Sequence, residues 1–527
     1  MRRPPGVSDS DFSAALQKFA NVVGAPWVFT SDEDLDLYRD AYSVLRGEPG
    51  EYVASAAVAP DAVEQVQAIV RIANQHKIPL YPFSTGRNLG YGGSAPAYSG
   101  SVILDLKRMN RVIEVNEALH YALVEPGCSF FDLYRHLREK GIRQYPSVPA
   151  PGWGSPIGNS LDHGCGNPAR DHFRNHCGME VVLPTGELLR TGMGAMPGAK
   201  TWQTYHYGFG PWIDGLFSQS NFGVVTKMGF NLFPEPESAK SLTMMSFNYD
   251  DLDAIVGLTE SLEASGVAPH GAGCFSPLLS ARDPEVMGLI RGGGGSAADW
   301  NRLSRERKTP VFTAPFNFSG APRVVDAQME TVNDKFSALK GVAFAERKAY
   351  AAPLNPDEID EPDKNTFGIP TLWRFFPDLA QTKEPIWSGH VWFSPNIPQT
   401  GEALRTANRV FQKGCDEHGL YWGWSGGISF FPKNFTLLYA FEAGADAETN
   451  RRSREGFLRM VAIAAENGWS EYRSAPAFMD AIMEVFSFNG HALRRFNETL
   501  KDAIDPNGIL SAGRYGIWPK HLRKARA

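Results

Sequence analysis

The stretch PFSTGRNLGYGGSAP, residues 82–96, decides how this chain is read. It is rich in glycine, has a proline at either end, and seats Arg87, Asn88 and Tyr91 among the glycines. An apolar-periodic segment precedes it, and GSVILDL (100–106), which reads as a strand, follows it. Glycine lets a backbone take conformations that a Cβ forbids and approach a partner closely. The loop is therefore either a long surface turn or a place where main chain lies against something flat and charged.

Upstream, EYVASAAVAPDAVEQVQAIVRIANQHKIPLYPFSTG (51–86) reads as a strand over 52–59, a helix over 61–76 opened by Pro60-Asp61, and a strand over 79–83. That is an α/β unit. A helix at 10–24 precedes it. Downstream come strands near 101–106, 111–115 and 121–125, a helix at 129–140, and a hairpin in GMEVVLPTGELLRTG (178–192) turning at Pro184-Thr185-Gly186. Pro234 and Pro236 mark a boundary near 237. Beyond it, helices at 252–264, 323–339, 401–418 and 449–467 mix with strands SLTMMSFNY (241–249) and FTLLYAFEA (435–443), which is an α+β pattern. RGGGGSAADW (291–300) reads as a flexible surface excursion. LKDAIDPNGILSAGRYGIWP (500–519) reads as a short helix closed by a turn, with an apolar end that docks on the body of the protein.

A length of 527 residues predicts two or three domains. The net charge of −6 leaves no basic footprint, so nucleic acid is not an expected partner. Five scattered cysteines without a C-x-x-C pair speak against a disulfide framework or structural zinc and fit a reducing compartment. No apolar run reaches the roughly 18 residues that would span a membrane, and MRRPPGVSDSDF has no apolar stretch of the secretory kind. The expectation is a cytoplasmic protein with no membrane partner.

No G-x-G-x-x-G and no Walker loop occurs. GCGNPA (164–169) fits the looser dinucleotide spelling but lacks the preceding strand and following helix. What remains is two glycine-rich loops, 84–93 and 154–166, whose backbone amides suit a pyrophosphate; a structural turn is the competing reading. Asp162, His163, Asp171, His172 and His176 cluster in LDHGCGNPARDHFRNH (161–176) without H-E-x-x-H spacing, so hydrogen-bonding histidines are expected there and no metal. His390 in IWSGHVWFSP (386–395) reads on its own as a core histidine, and Tyr472-Arg473 as a surface pair.

Together STGRNLGYGGSAP, VEPG, SPIGNSLDHG, HCGMEVVLPTGELLRTGMGAMPG, YGFGPWIDGLFSQSNFGVVTKMG and DPNGILSAGRYGIW have a recognisable order. They resemble the 4-phenol oxidising branch of the vanillyl-alcohol oxidase flavoprotein family, across nearly the whole chain. The resemblance implies an α+β protein with a two-part FAD-binding domain, residues 1–237 and a returning segment 471–527, and an α+β substrate cap over 238–470. It implies that FAD is held by Ser84, Thr85, Gly86, Arg87, Asn88 and Leu89, by Pro126 and Gly127, and by Ser155, Gly158, Asn159, Asp162 and His163. Gly223, Val225 and Arg514 complete that set. His390 matches the histidine that the family's oxidases join covalently to the flavin; a family dehydrogenase uses a tyrosine a few residues earlier, and TKEPIWSG (382–389) contains none. Covalent histidyl-FAD is the expectation.

Tyr91, Tyr472 and Arg473 match the family's catalytic, phenol-binding trio. Two hydroxyls and a permanent cation favour a phenolate, whose electrons drive hydride from the para side chain to flavin N5 and leave a p-quinone methide. Water addition, or loss of a proton to give an alkene, follows; a benzylic alcohol gives the aldehyde. Ala150 and Trp392 are expected in the substrate pocket. Ala150, in VPAPGWGS (148–155), stands where the oxidases carry an aspartate base, and the freed volume suits bulky, lignan-type phenols. A tyrosine-bearing loop of the family is shortened to GNPARDH (166–172), and Arg170 enters it. The implied partners are a small phenol, oxygen or an electron-carrier protein (a cytochrome or copper protein), and a second copy in a homodimer. A sugar or hydroxy-acid flavin oxidase, and a fold that has lost catalysis, are the rival readings.

Overall fold

The computed structural model describes residues 3–373, 389–444 and 446–523; positions 382–388 of the tyrosine-free stretch before His390 lie outside them. The α/β unit read from the sequence is present. Ala56–Val58, Val102–Asp105 and Leu80–Phe83 form a parallel sheet, with Val28–Phe29 antiparallel at one edge. Ala56–Val58 and Val102–Asp105 are buried along their whole length, which is why they read as unbroken apolar runs. Helix Val63–His76 turns Val66, Ile69, Val70 and Ala73 inward, one stripe at helical spacing, and packs against helix Asp9–Val23. The strand expected over 52–59 is only its last part, because 51–54 runs as irregular chain.

A second, wholly antiparallel sheet follows, in the order Val112–Asn116, Tyr121–Val124, Val224–Asn231, His176–Val182, Leu188–Arg190. The expected hairpin supplies its last two strands. The far end of the chain returns to the first sheet. Leu80 N donates to Ile509 O at 2.6 Å, and Ser511 N donates to Leu80 O at 2.8 Å. Helix Phe488–Ile504 leads into this return, and buried Lys501 fixes it: its Nζ donates to Asn221 O (2.8 Å) and Leu510 O (2.7 Å) and pairs with Asp505 (2.7 Å).

The middle of the chain builds a separate, larger core. Ser238–Ser246 pairs between Phe312–Gly320 and Val342–Glu346, backed by helices Leu252–Ala264 and Pro322–Ser337. Gly389–Phe393 pairs with Tyr439–Ala443, and Pro395–Pro398 lies between Asn434–Thr436 and Ser470–Glu471. Phe393, Phe411, Trp422, Phe441 and Phe457 interlock beneath them, and Phe457 stacks on Phe478. The strand expected over 435–443 is thus two strands in two sheets, broken at Leu437-Leu438. The excursion expected over 291–300 ends early. Ser296 and Asp299 form a capping box that starts helix Ala297–Arg307. Among the described residues no helix is long and apolar enough to cross a membrane.

Candidate active site

A cavity of about 640 Å³ opens where the two sheets, the returning segment and the larger core meet. Its floor is the loop that follows strand Leu80–Phe83. Gly86, Gly90, Gly92 and Gly93 all have positive φ, so the loop turns in a way that side-chain-bearing residues resist. At Gly90 and Gly92 there is a second constraint. A Cβ at Gly90 would stand 2.5 Å from the Trp392 ring, and one at Gly92 would stand 2.4 Å from Pro476. These glycines let the loop press against its own chain. Among the described residues, no amide from Thr85 to Leu89 donates to another protein oxygen, and all five residues line the cavity. Such a row of open amides is an anion-binding concavity.

The second glycine-rich stretch has a short helix at its centre. Ser155 caps helix Pro156–Leu161, and Gly158 sits so close to Ser84 that a Cβ would lie 2.3 Å from its hydroxyl oxygen. Asp162 follows as the hub of a network. Its Oδ1 accepts from Arg514 Nη2 (2.7 Å) and from the Tyr515 hydroxyl (2.6 Å), and its Oδ2 accepts from Asn88 Nδ2 (2.7 Å). Arg514 Nη1 reaches the Tyr81 hydroxyl at 2.7 Å. Burial works to raise the Asp162 pKa, yet Arg514 and then Arg473 hold its carboxyl below the usual carboxylate range.

A second group on the cavity wall is different in kind. Tyr91, Tyr472 and Arg473, remote in sequence, converge there. The Arg473 guanidinium lies 4.1 Å from the centroid of the Tyr91 ring and 5.0 Å from that of Tyr472. The two hydroxyl oxygens are 3.5 Å apart, and Tyr91 Oη is 2.9 Å from Ser394 Oγ. Burial pushes the Tyr472 hydroxyl well above the ordinary tyrosine range, against the pull of Arg473, so it stays protonated. Among the described residues no carboxylate lies within ion-pair distance of Arg473, and its Nε is buried without a hydrogen-bond partner.

His390 lines the same cavity from strand Gly389–Phe393. Trp392 meets its ring edge-on at 4.3 Å and Tyr42 tilts over it at 5.0 Å. Burial lowers its pKa to about 4, so the imidazole is neutral. Ala150 lines the cavity between Pro149 and Pro151. Arg170 also lines it but is engaged: Nη1 donates to Glu263 Oε1 (2.5 Å) and Nη2 to Ser429 Oγ (2.8 Å).

Of the residues singled out from the sequence, Ser84 to Leu89, Tyr91, Pro126, Ala150, Ser155, Gly158, Asn159, Asp162, Gly223, Val225, His390, Trp392, Tyr472, Arg473 and Arg514 share this wall. Gly127 and His163 do not. Gly127 packs on the 106–107 backbone, where a Cβ would lie 2.5 Å from Lys107 O. His163 turns to Ser218 Oγ (3.0 Å) and sets its edge on Phe173. His172 bonds Ser147 and Asn159, and among the described residues no three His, Cys, Asp or Glu gather as a metal site. Tyr81, Tyr515 and Ser394 were not foreseen. Only Tyr515 carried a signal, its place beside Arg514.

The family described as "FAD binding domain" matches residues 54–192. Over 98% of this chain and 97% of the relative, the sequence is 31% identical to the 4-cresol dehydrogenase (hydroxylating) flavoprotein subunit of Pseudomonas putida. Two solved structures superpose along the whole fold. The 4-ethylphenol oxidase of Gulosibacter chungangensis, in an isoeugenol complex, gives a TM-score of 0.82 at 32% identity, covering 99% of this chain and 100% of that one. Substrate-bound p-cresol methylhydroxylase gives 0.84 at 29% identity, covering 98% and 99%. With open amides and a half-buried cation lining one cavity and likeness along the full length, the chain belongs to the phenol-oxidising branch of the vanillyl-alcohol oxidase family of FAD-dependent oxidoreductases.

Proposed function

We propose that this enzyme oxidises para-substituted phenols, 4-alkyl and 4-alkenyl phenols or 4-hydroxybenzylic alcohols, and that it takes them up as phenolates. One observation carries this: Arg473, its Nε buried without a partner, has no carboxylate within ion-pair distance among the described residues and lies against the rings of two tyrosines. A buried cation without a counter-charge is costly, and a site that keeps one gains by receiving an anion. Tyr91 and Tyr472 donate to that anion, and Arg473 supplies its charge. Held so, a phenolate has its electrons driven toward the para carbon, which favours departure of hydride from the benzylic position. The substrate becomes a p-quinone methide, open to water or to loss of a side-chain proton.

FAD fits this chain: the open amides of Thr85–Leu89 suit its pyrophosphate, and Asp162 and Arg514 brace that loop through Asn88 and Tyr81. FAD, when bound, supplies the two-electron acceptor for the departing hydride. Neutral His390, packed between Tyr42 and Trp392, is the residue we assign to its covalent attachment. On this reading residues 1–237 with 471–527 form the FAD-binding domain and 238–470 the substrate cap. Ala150 places no acid beside the reacting carbon, and its small side chain suits bulkier para substituents.

Anaerobic mixing with a panel of 4-substituted phenols tests the assignment, read at the flavin band at about 450 nm. Bleaching supports it, and no bleaching with any phenol overturns it. Admitting air then separates an oxidase, which recovers its colour, from a dehydrogenase that needs a carrier protein. Acid precipitation of the same sample reads attachment: His390 linkage keeps the flavin in the pellet.

A further inference from the structure

Ser394 follows strand Gly389–Phe393, four residues beyond His390, and is wholly buried. Its backbone is clamped by the segment that carries Tyr472 and Arg473. Ser394 N donates to Glu471 Oε2 at 2.6 Å, and Ser394 O accepts from Tyr472 N at 3.3 Å. The hydroxyl is left to one neighbour. Among the described residues its only hydrogen-bond partner is the Tyr91 hydroxyl, at 2.9 Å.

Two hydroxyls at that distance share one proton between them, and either one can be the donor. Among the described residues Ser394 has no other acceptor, and a buried O–H without an acceptor is destabilising. Tyr91 has an alternative, because its ring lines the cavity. The proton between them therefore comes from Ser394. A phenolic oxygen that accepts still carries its own proton, which must then point elsewhere. Tyr472 Oη, 3.5 Å away, is beyond the ordinary O–H···O range of about 2.5–3.0 Å. An oxygen atom seated between the two tyrosines is the better acceptor.

We propose that Ser394 is a positioning residue: by donating to Tyr91 it commits Tyr91 to donate into the cavity, so that the site selects a phenolate oxygen over a neutral phenol. A neutral phenol brings a proton that needs an acceptor. Arg473 offers none, Tyr91 already accepts from Ser394, and Tyr472 alone is left. A phenolate instead receives from all three, and the Ser394-to-Tyr91 bond polarises the donor that meets it. The inference rests on the phenolate reading above and adds to it the residue that sets the direction of the hydrogen bonds.

The test uses the flavin-loaded enzyme and 4-nitrophenol, which has no benzylic carbon to oxidise and is yellow only as its anion. Its ionisation when bound is titrated in wild type, Ser394→Ala, Tyr91→Phe and the double variant, with the spectrum of each protein alone subtracted. We expect Ser394→Ala to raise the pKa of the bound ligand by about one unit, the size of weakening one charge-assisted hydrogen bond. In the Tyr91→Phe background the serine change should add nothing, because its route is gone. No shift in Ser394→Ala, or an equal shift in both backgrounds, overturns the role of Ser394 and leaves the phenolate reading standing. A wild-type enzyme that binds the anion no better than the neutral form overturns both. Loss of packing alone would not move the ionisation of a ligand, and the flavin-to-protein absorbance ratio shows that each variant keeps its cofactor.

Discussion

Two arginines line the same cavity and both feel the charge of Asp162, yet they live differently. Arg514 gives one nitrogen to Asp162 and another to Tyr81. Arg473 has no carboxylate within ion-pair distance among the described residues and lies against two aromatic rings. The first ties the end of the chain to the loop after Leu80–Phe83, and its charge is answered within the protein. The second has its charge held ready by tyrosines that cannot neutralise it. A guanidinium that is answered holds structure together, and one that is not is prepared for a ligand.

The contrast can be broken by exchanging the arginines' fates. Arg473→Met should lower the rate of anaerobic flavin reduction by a 4-alkylphenol about 100- to 1000-fold, as removal of a central anion-stabilising donor does. Its thermal midpoint should hold, because no ion pair within contact distance among the described residues is lost. A normal reduction rate would mean that the anion is met elsewhere. Arg514→Met should do the reverse and cost about 3 kcal/mol of stability in denaturant unfolding, because buried Asp162 loses its ion-pair partner and keeps only neutral donors. An unchanged midpoint would show that this pair is not what ties the returning segment.

The smallest effect sharpens the comparison through pH. The folded-state pKa of Asp162 is depressed, so its contribution is present above the unfolded carboxylate value of about 3.9 and is lost as pH falls through the folded value. The stability gap between wild type and Asp162→Asn should therefore narrow as pH drops below about 4. Thermal unfolding of the holoprotein at a series of acidic pH values measures it. A constant gap would mean that Asp162 acts by shape rather than by charge.

What the sequence could reveal follows from how local each signal is. Helix Val63–His76 and the hairpin around Pro184-Thr185-Gly186 were legible because their apolar periods and turn residues are written in consecutive positions. Helix Ala297–Arg307 was legible in principle, since Ser296 and Asp299 have capping-box spacing, but the glycines before it masked the start. The break at Leu437-Leu438 was not legible, because strands on either side are equally apolar and only tertiary packing sends them to different sheets. At the site, the positions of Tyr91, Tyr472 and Arg473 could be carried over from a family pattern, and they do converge. Ser394 could not be found that way or by composition, because a single serine gains its meaning only from what its oxygen faces. His163 is a different case: it lies in a motif-rich stretch, and its ring faces Ser218 and Phe173.

The return of the chain to strand Leu80–Phe83 also has a bearing on biosynthesis. Tyr81 and Arg514, joined by a hydrogen bond, are 433 residues apart. At a translation rate of about 5–20 residues per second, the first waits on the order of tens of seconds for the second. Until Ile509 and Ser511 reach Leu80, that strand keeps an unpaired edge. Asp162, which braces the loop beside that strand through Asn88, meanwhile lacks Arg514 and Tyr515. Completion of this cofactor cradle therefore waits for Arg514, and a nascent chain stalled before that residue should hold flavin less well than the full chain.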